Sequence, residues 1–325
     1  MADIPQPPHN DVGIVVIGRN EGDRLVRCLA SIEGKARQIV YVDSGSTDRS
    51  IERAITAGAE VLELDTRTPF TAARARNAGA QALKNKFDIK YIHFLDGDCE
   101  VRDGWLEAAF DRAEANAAIA VVCGRRRERF PETTLWNHLT DLEWAGASGE
   151  VGECGGDALM RRAAFEEVGG FDEALIAGEE PELCFRLRQK GWKIWRLDAE
   201  MAWHDAAMTR FGQWWLRSKR AGFAYANGAW LHGRSPEKFR LREVARALFW
   251  GAALPLAALL GAVFSAWFLA LLLAFPLQYL RLLKKGNARG PAFFLVLGKF
   301  AEAQGIFKFV IGQTRKRRAA LIEYK

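Results

Sequence analysis

The sequence predicts an α/β fold: a sheet with helices on both faces, followed by a C-terminal region of membrane-associated helices. Three observations predict it. Short β-type runs alternate with helix-length stretches from residue 13 to residue 95. Charge is divided unevenly, with 30 Lys+Arg against 36 Asp+Glu in residues 1–233 and 16 against 4 in residues 234–325. Finally, the 34 residues from Ala247 to Leu280 carry no formal charge, whereas a membrane span needs about 20 apolar residues.

Taken in order, GIVVIG (13–18) reads as a buried strand and Glu21–Ile32 as a helix with Leu25, Cys28, Leu29 and Ile32 on its apolar face. QIVYVD (38–43) is a second strand, and Ser46–Ala57 is a helix opened by a polar cap. Glu60–Leu64, Thr71–Leu83 and Tyr91–Leu95 continue the alternation as strand, helix and strand. Such a series implies a parallel sheet, and parallel sheets keep their ligands at the carboxyl ends of the strands. GRN (18–20), DSGSTD (43–48) and DGD (96–98) all fall at such ends. Further on, helices are expected at Trp105–Ala113, Phe130–Trp144 and Glu180–Lys190, with strands at Ala118–Cys123 and Trp192–Leu197.

At 325 residues, 49% hydrophobic and 26% charged, the chain has the composition of a folded protein with a sizeable core. The five cysteines are odd in number and widely spaced, without CxxC. This argues against a zinc site or a disulfide framework and suits a reducing compartment. MADIPQPPHNDVG lacks a basic segment followed by an apolar one, so no secretory signal is expected.

The basic tail points to membrane lipids, with no nucleic acid partner expected. Lys238, Arg240, Arg242 and Arg246 precede the uncharged stretch, and Arg281, Lys284, Lys285 and Arg289 follow it. Both ends therefore favour the cytoplasm, which implies a hairpin or re-entrant pair over 247–280, with Pro255, Gly261 and Pro276 as break points. Residues 292–312 are apolar but carry Lys299, Glu302 and Lys308; they read as a helix in the interface plane. Thr314–Arg318 (TRKRR) would meet anionic head groups. The expected layout is a tail at 1–11, a catalytic domain at 12–233 and a basic helical region at 234–325. It sits at the inner (cytoplasmic) membrane with the catalytic domain facing the cytoplasm.

The pair Asp96 and Asp98, split by Gly97 at the end of an apolar strand, has two readings. One is an Asp/Gly turn. The other is a ligand pair for a divalent cation. Together with its neighbours the pair resembles the family 2 glycosyltransferases of bacteria, through VVIGRNE, VDSGSTD, ARARNAG, FLDGDCEV and GGFDE followed by GEEPELCFRLRQKGW. The resemblance covers roughly residues 12–235. It implies the GT-A fold, a Rossmann-like mixed sheet for nucleotide-diphospho-sugar transfer. It also implies an inverting, metal-dependent reaction with Mn2+ or Mg2+ as cofactor.

On that resemblance Asp96 contacts the ribose or reaches the metal through water, Asp98 binds the metal directly, and His204 of MAWHD is a further metal ligand. A histidine capping a strand end is the competing view of His204. Asp43 would accept a hydrogen bond from the base, with Ser46, Arg19, Glu21, Arg76 and Asn77 on the nucleotide side; Ser44 stands where many relatives have a second aspartate. The same DSGSTD cluster also reads as a polar cap before a helix, and Arg74 as a surface arginine. Inversion needs a general base for the acceptor hydroxyl. Glu180 occupies the position of the usual aspartate beside Glu179, although two carboxylates at a helix start also suit the helix dipole. Gly156 and Asp157 in CGGDALMRR are placed on the acceptor side. Trp214 and Trp215 could form a sugar platform or anchor at the membrane interface, and this segment does not match the QxxRW of processive synthases.

The expected activity is transfer of a sugar from a nucleotide donor, UDP-linked first of all, to a polyprenyl-linked glycan for a surface polysaccharide. Two alternatives remain: a haloacid-dehalogenase-like phosphatase, which also carries DxD after an apolar strand, and a non-catalytic nucleotide-sugar-binding protein recruited to the membrane.

Overall fold

A computed structural model describes residues 10–315. The chain divides into two units, one of residues 1–175 with 179–207 and one of residues 176–178 with 208–325.

In the first unit the elements run β1 (Val12–Gly18), α1 (Asp23–Ile32), β2 (Gln38–Asp43), α2 (Ser50–Thr56), β3 (Glu60–Glu63), α3 (Ala72–Lys86), β4 (Tyr91–Asp96) and β5 (Cys99–Val101). They continue with α4 (Trp105–Glu114), β6 (Ile119–Glu128), α5 (Leu135–Trp144), β7 (Gly149–Val151), β8 (Ala158–Arg161), α6 (Arg162–Glu167), α7 (Glu179–Gln189) and β9 (Lys193–His204). The strand order is β3-β2-β1-β4-β8-β6-β9-β5, with β7 paired to β9. Strands β1 to β4 pair in parallel as the alternation predicts. The second half makes the sheet mixed, as expected: β8 is antiparallel to both β4 and β6, and β5 and β7 are antiparallel to β9. None of these antiparallel pairs is consecutive in the chain, so each is a long-range pairing.

Strand periodicity splits the core into two layers. Val12, Ile14 and Val16 face Leu25, Leu29 and Trp105 on one side of the sheet. Val15 and Ile17 face Ala73, Leu83 and Leu187 on the other. Helix α3 lies very close to the sheet because of Gly79, where a Cβ would stand 2.4 Å from a Val15 methyl. That approach sets the height at which Arg76, one turn earlier, emerges over the strand ends.

Several boundaries move. Residues 44–49 form a loop, so α2 starts at Ser50 and not Ser46, because the polar residues of DSGSTD bond one another. Phe130–Thr134 is likewise outside α5. β6 and β9 run on to Glu128 and His204, well past their expected ends, by pairing with each other through register shifts.

In the second unit α8 (Phe211–His232) precedes an unbroken helical segment. This comprises α9 (Leu241–Leu248), a π turn (Phe249–Ala253) and α10 (Leu254–Ala262). A 3₁₀ segment (Ala266–Leu273) leads into α11 (Ala274–Lys284), and α12 (Arg289–Thr314) follows. The hairpin between Leu241 and Lys284 turns at 263–265, where a Cβ on Gly261 would collide with the Phe268 ring. The two units divide at residue 207/208, with α8 paired to α12, where the sequence suggests 233/234. Glycines make that pairing close: a Cβ on Gly222 would lie 2.0 Å from the Glu302 carbonyl oxygen, and one on Gly305 equally near that of Lys219.

In helix α12, expected to lie in the interface plane, Ala301, Ala303, Gly305 and Ile306 are buried, and Lys299 pairs with Glu302 at 2.6 Å. Trp214 packs on Phe294, with ring centroids 5.0 Å apart, and Trp215 donates its indole N–H to Gln304 at 3.2 Å. These contacts tie α8 to α12, and neither of the two roles expected for these tryptophans describes them. Of the basic cluster expected at Thr314–Arg318, residues 316–318 lie outside the described residues, as do residues 1–9 of the expected N-terminal tail.

His93, in the centre of β4, is fully buried, and burial pushes its pKa down to about 4. The native state therefore excludes a proton that the unfolded chain binds below about 6.5. Stability should be complete above pH 6.5 and fall by about 3 kcal/mol as pH drops toward 4. His93→Leu should remove that part of the slope in urea titrations across this range.

Candidate active site

The DSGSTD turn is closed on itself. Asp43 Oδ2 accepts the backbone N–H groups of Gly45 and Ser46 at 2.9 and 2.8 Å. Its Oδ1 accepts the hydroxyls of Tyr41 and Ser46 at 3.0 and 2.5 Å. A carboxylate has about four acceptor positions, and all are used. Gly45 takes a positive φ of 88° to allow this turn. In this structure the Asp43 carboxylate organises the loop. Asn20 stitches the neighbouring GRN loop to it, accepting from the Thr47 N–H at 2.7 Å while its own N–H donates to Ser46 Oγ at 2.9 Å. Arg19 extends over the Phe70 ring at 4.9 Å, and Glu21 pairs with Arg24 at 2.8 Å. Both stand at the rim of the strand ends.

The centre of the site is Arg76. Its side chain is 3% exposed and donates to Asp96 Oδ1 at 2.7 Å and to Glu179 Oε1 at 2.9 Å. Burial opposes its charge, but Asp96, Glu179 and Asp157 outweigh that and push the guanidinium pKa up. Gly156 packs directly against this pair: a Cβ there would lie 2.5 Å from Arg76 Nη2 and 3.3 Å from Asp96 Oδ2. Asp157 is wholly buried. It accepts the Asp96 backbone N–H at 2.9 Å and pairs with Arg126 at 3.3 Å. It thus positions Asp96 from beneath.

Asn77 likewise bonds to the protein. Its amide donates to the Phe171 carbonyl at 2.8 Å and to Glu173 at 3.1 Å, and its oxygen accepts the Phe171 N–H at 2.9 Å. It clamps the GGFDE loop. Arg74 donates to the carbonyls of Thr68 and Asp65, in keeping with a structural arginine.

Asp98 and His204 come together because β5 and β9 pair with Cys99 opposite His204. Asp98 Oδ1 lies 3.4 Å from His204 Nε2, and both side chains are buried. Burial holds the His204 pKa down, favouring the neutral imidazole that ligates metals. Behind it, Nδ1 lies 4.0 Å from Glu128 Oε2, and Trp144 meets the ring edge-on at 4.7 Å. One carboxylate oxygen and one imidazole nitrogen fit a divalent cation, and the nitrogen favours Mn2+ over Mg2+, which prefers oxygen.

The adjacent glutamates diverge at the start of α7. Glu179 joins Arg76, whereas Glu180 turns to the CGGD loop. There Glu180 Oε1 accepts from the Cys154 N–H at 2.7 Å and lies 3.0 Å from both the Cys154 and Cys184 sulfurs. Burial and the neighbouring Glu153 charge raise its pKa, partly offset by those hydrogen bonds, in the direction a base near neutral pH requires.

Sequence reasoning missed Arg126, Glu128 and Trp144. Arg126 pairs with Asp157, approaches Asp96 Oδ2 at 4.0 Å and stacks over Trp144 at 4.6 Å. Glu128 accepts the Ala206 N–H at 3.0 Å and the Asn137 amide at 3.2 Å, fixing the chain after His204. The only signal was the run of charges in GRRRERF at the end of a strand.

Residues 13–169 match the family model described as Glycosyl transferase family 2. The pre-mycofactocin glycosyltransferase of Mycobacterium tuberculosis is 27% identical over 252 residues, 72% of this chain and 51% of that protein. The succinoglycan biosynthesis protein ExoA of Rhizobium meliloti is 31% identical over 173 residues, 50% of this chain and 52% of that protein. The chain thus spans about half the length of these curated relatives. Among solved structures, the mannosyltransferase PcManGT of Pyrobaculum calidifontis, in complex with GDP-Man and Mn2+, aligns with a TM-score of 0.65 at 19% identity. The alignment covers 94% of this chain and 89% of that one. This likeness shows a shared GT-A-like fold. The phosphatase alternative is not favoured by these matches.

Replacing Arg76 by Met should leave Asp96 and Glu179 without their cation and destabilise the domain by about 3 kcal/mol. Urea denaturation against wild type checks this, and Arg76→Lys should recover only part of the loss because a point charge cannot bridge two carboxylates as a fork does.

Proposed function

Residues 13–169 belong to glycosyl transferase family 2, and we propose that this glycosyltransferase moves a sugar, with inversion, from a nucleoside-diphosphate donor to a lipid-linked glycan. The observation that carries the reading is the convergence of Asp98 with His204 at the carboxyl edge of the sheet. Asp98 and His204 would hold Mn2+ or Mg2+, which offsets the charge of the diphosphate leaving group. Asp96, fixed by Arg76 and the buried Asp157, supplies the donor-side carboxylate. Glu180 takes the proton from the acceptor hydroxyl. The hydrogen bonds described for Glu180 all fall on Oε1, so Oε2 is the oxygen assigned to that proton. Arg126 adds a cation beside Asp96, suited to a phosphate. Donor chemistry is sought first among UDP-sugars, with GDP-mannose included because the structural neighbour was solved with it.

The second unit supports membrane attachment. Phe264 and Trp267 at the hairpin tip are 88% and 86% exposed, a patch that water disfavours. The uncharged part of the first arm, Ala247–Ala262, is about 24 Å long at 1.5 Å per residue, shorter than the hydrocarbon core of about 30 Å. Both arms, Leu241–Ala262 and Ala266–Lys284, are long and apolar enough to span, but on this short uncharged length we read the hairpin as re-entrant from the cytoplasmic face of the inner membrane, near a polyprenyl acceptor.

In a donor screen on detergent-purified protein, nucleoside diphosphate release should require Mn2+ or Mg2+ and one donor. It should fall about 10²-fold or more in Asp98→Ala and in Glu180→Gln. Release that survives EDTA and Asp98→Ala would sink the metal-assisted mechanism. Separately, Val263→Cys should resist a membrane-impermeant maleimide applied to the periplasmic side of spheroplasts. Rapid labelling there would show a crossing.

A further inference from the structure

The spacing of the cysteines argues against a zinc site or a disulfide framework, yet the fold brings two of them together beside Glu180. Cys154 lies on the loop before β8, and Cys184 is one turn after Glu180 on the same face of α7. Their sulfurs are 3.8 Å apart, and each is 3.0 Å from Glu180 Oε1. All three side chains are buried, and their donor atoms lie within 4.8 Å of one another.

We propose that Cys154, Cys184 and Glu180 form a binding site for a thiophilic divalent cation of the Zn2+ class, separate from Asp98 and His204, and that occupancy takes Glu180 out of proton transfer. The argument is geometric. Zinc–sulfur bonds of about 2.3 Å at a tetrahedral angle place two sulfurs about 3.8 Å apart, which is the separation observed. The corresponding sulfur–oxygen edge is about 3.5 Å, so the carboxylate needs to retreat by only about half an ångström. Donor chemistry separates the two sites. Two thiolates with a carboxylate select a soft ion, whereas Asp98 and His204, with the single thiol of Cys99 beside them, bring one carboxylate and one imidazole. On binding, each thiol releases its proton to solvent and Glu180 ligates as carboxylate. The effect on turnover rests on Glu180 as the base; the binding site itself does not.

The test is titration of reduced, metal-stripped full-length protein with Cd2+, followed by thiolate-to-cadmium charge-transfer absorption. The expected result is a band that saturates at one equivalent. It should be retained in Asp98→Ala and Cys99→Ala, weakened about tenfold in Glu180→Gln, and lost in Cys154→Ser/Cys184→Ser of native far-ultraviolet dichroism. If the double variant does not fold, the isosteric Glu180→Gln decides by its affinity. No band in wild type, a band unaffected by the cysteine or Glu180 substitutions, or one lost with Cys99→Ala would overturn the site. Zn2+ should displace Cd2+ and suppress Mn2+-supported release. Zn2+ bound at this site with undiminished release overturns the regulatory half alone. Full activity in Glu180→Gln would instead overturn the base assignment and leave the cadmium result standing.

Discussion

A single buried cation holds the candidate site in register. Arg76 is placed between Asp96, at the end of β4, and Glu179, at the start of α7. Those elements come from opposite halves of the sequence, and no backbone ladder joins them. A guanidinium can bridge two carboxylates with separate N–H groups, so it fixes both distance and orientation. Everything close to it is shaped accordingly. Gly156 is small because Arg76 and Asp96 fill the space where a side chain would go, and Gly79 lets α3 sink far enough for the arginine to reach. The acidic character of the strand ends is thereby held at short range by one positive charge, with Arg126 as a second at its flank.

Much of this was legible in the sequence, because it is local. Apolar runs alternating with helices gave β1 to β4 and their helices, and the DGD and GEE motifs named Asp96, Asp98 and Glu180. What was not legible depends on long-range pairing. The antiparallel insertion of β8 between β4 and β6 has no sequence period that differs from that of a parallel strand. Asp157 read as an acceptor-side contact, since nothing in CGGDALMRR indicates that its carboxylate is taken up by a backbone N–H of β4. Asp43 and Asn77 were identified as site residues, but as ligand contacts, whereas their hydrogen bonds are spent on the protein itself. In each case residue type was informative and partner was not.

The tail shows the same limit in another form. Hydropathy distinguishes apolar from charged stretches, and so it located the hairpin. It does not register glycines that allow two helices to touch, so the α8–α12 pair was invisible. Lys299 and Glu302 mark the helix as interfacial in the sequence, and in the structure they pair with each other. Close backbone approach through Gly222 and Gly305 depends on van der Waals packing rather than on water being expelled. The pair can thus keep its geometry beside a bilayer as well as in solvent.

The strand β5 is three residues long and stands at the end of the sheet, joined only to β9. Such a strand is the part of a sheet most prone to fray. It nevertheless delivers Asp98 to His204 through the Cys99–His204 pair. An ion shared by those two side chains would act as a clasp on that margin, linking metal affinity to local order. Amide exchange across Cys99–Val101 and the end of β9 would then slow with rising Mn2+, while the interior strands stayed indifferent to it. The margin of the sheet, more than its centre, would be the part whose motion the cofactor governs.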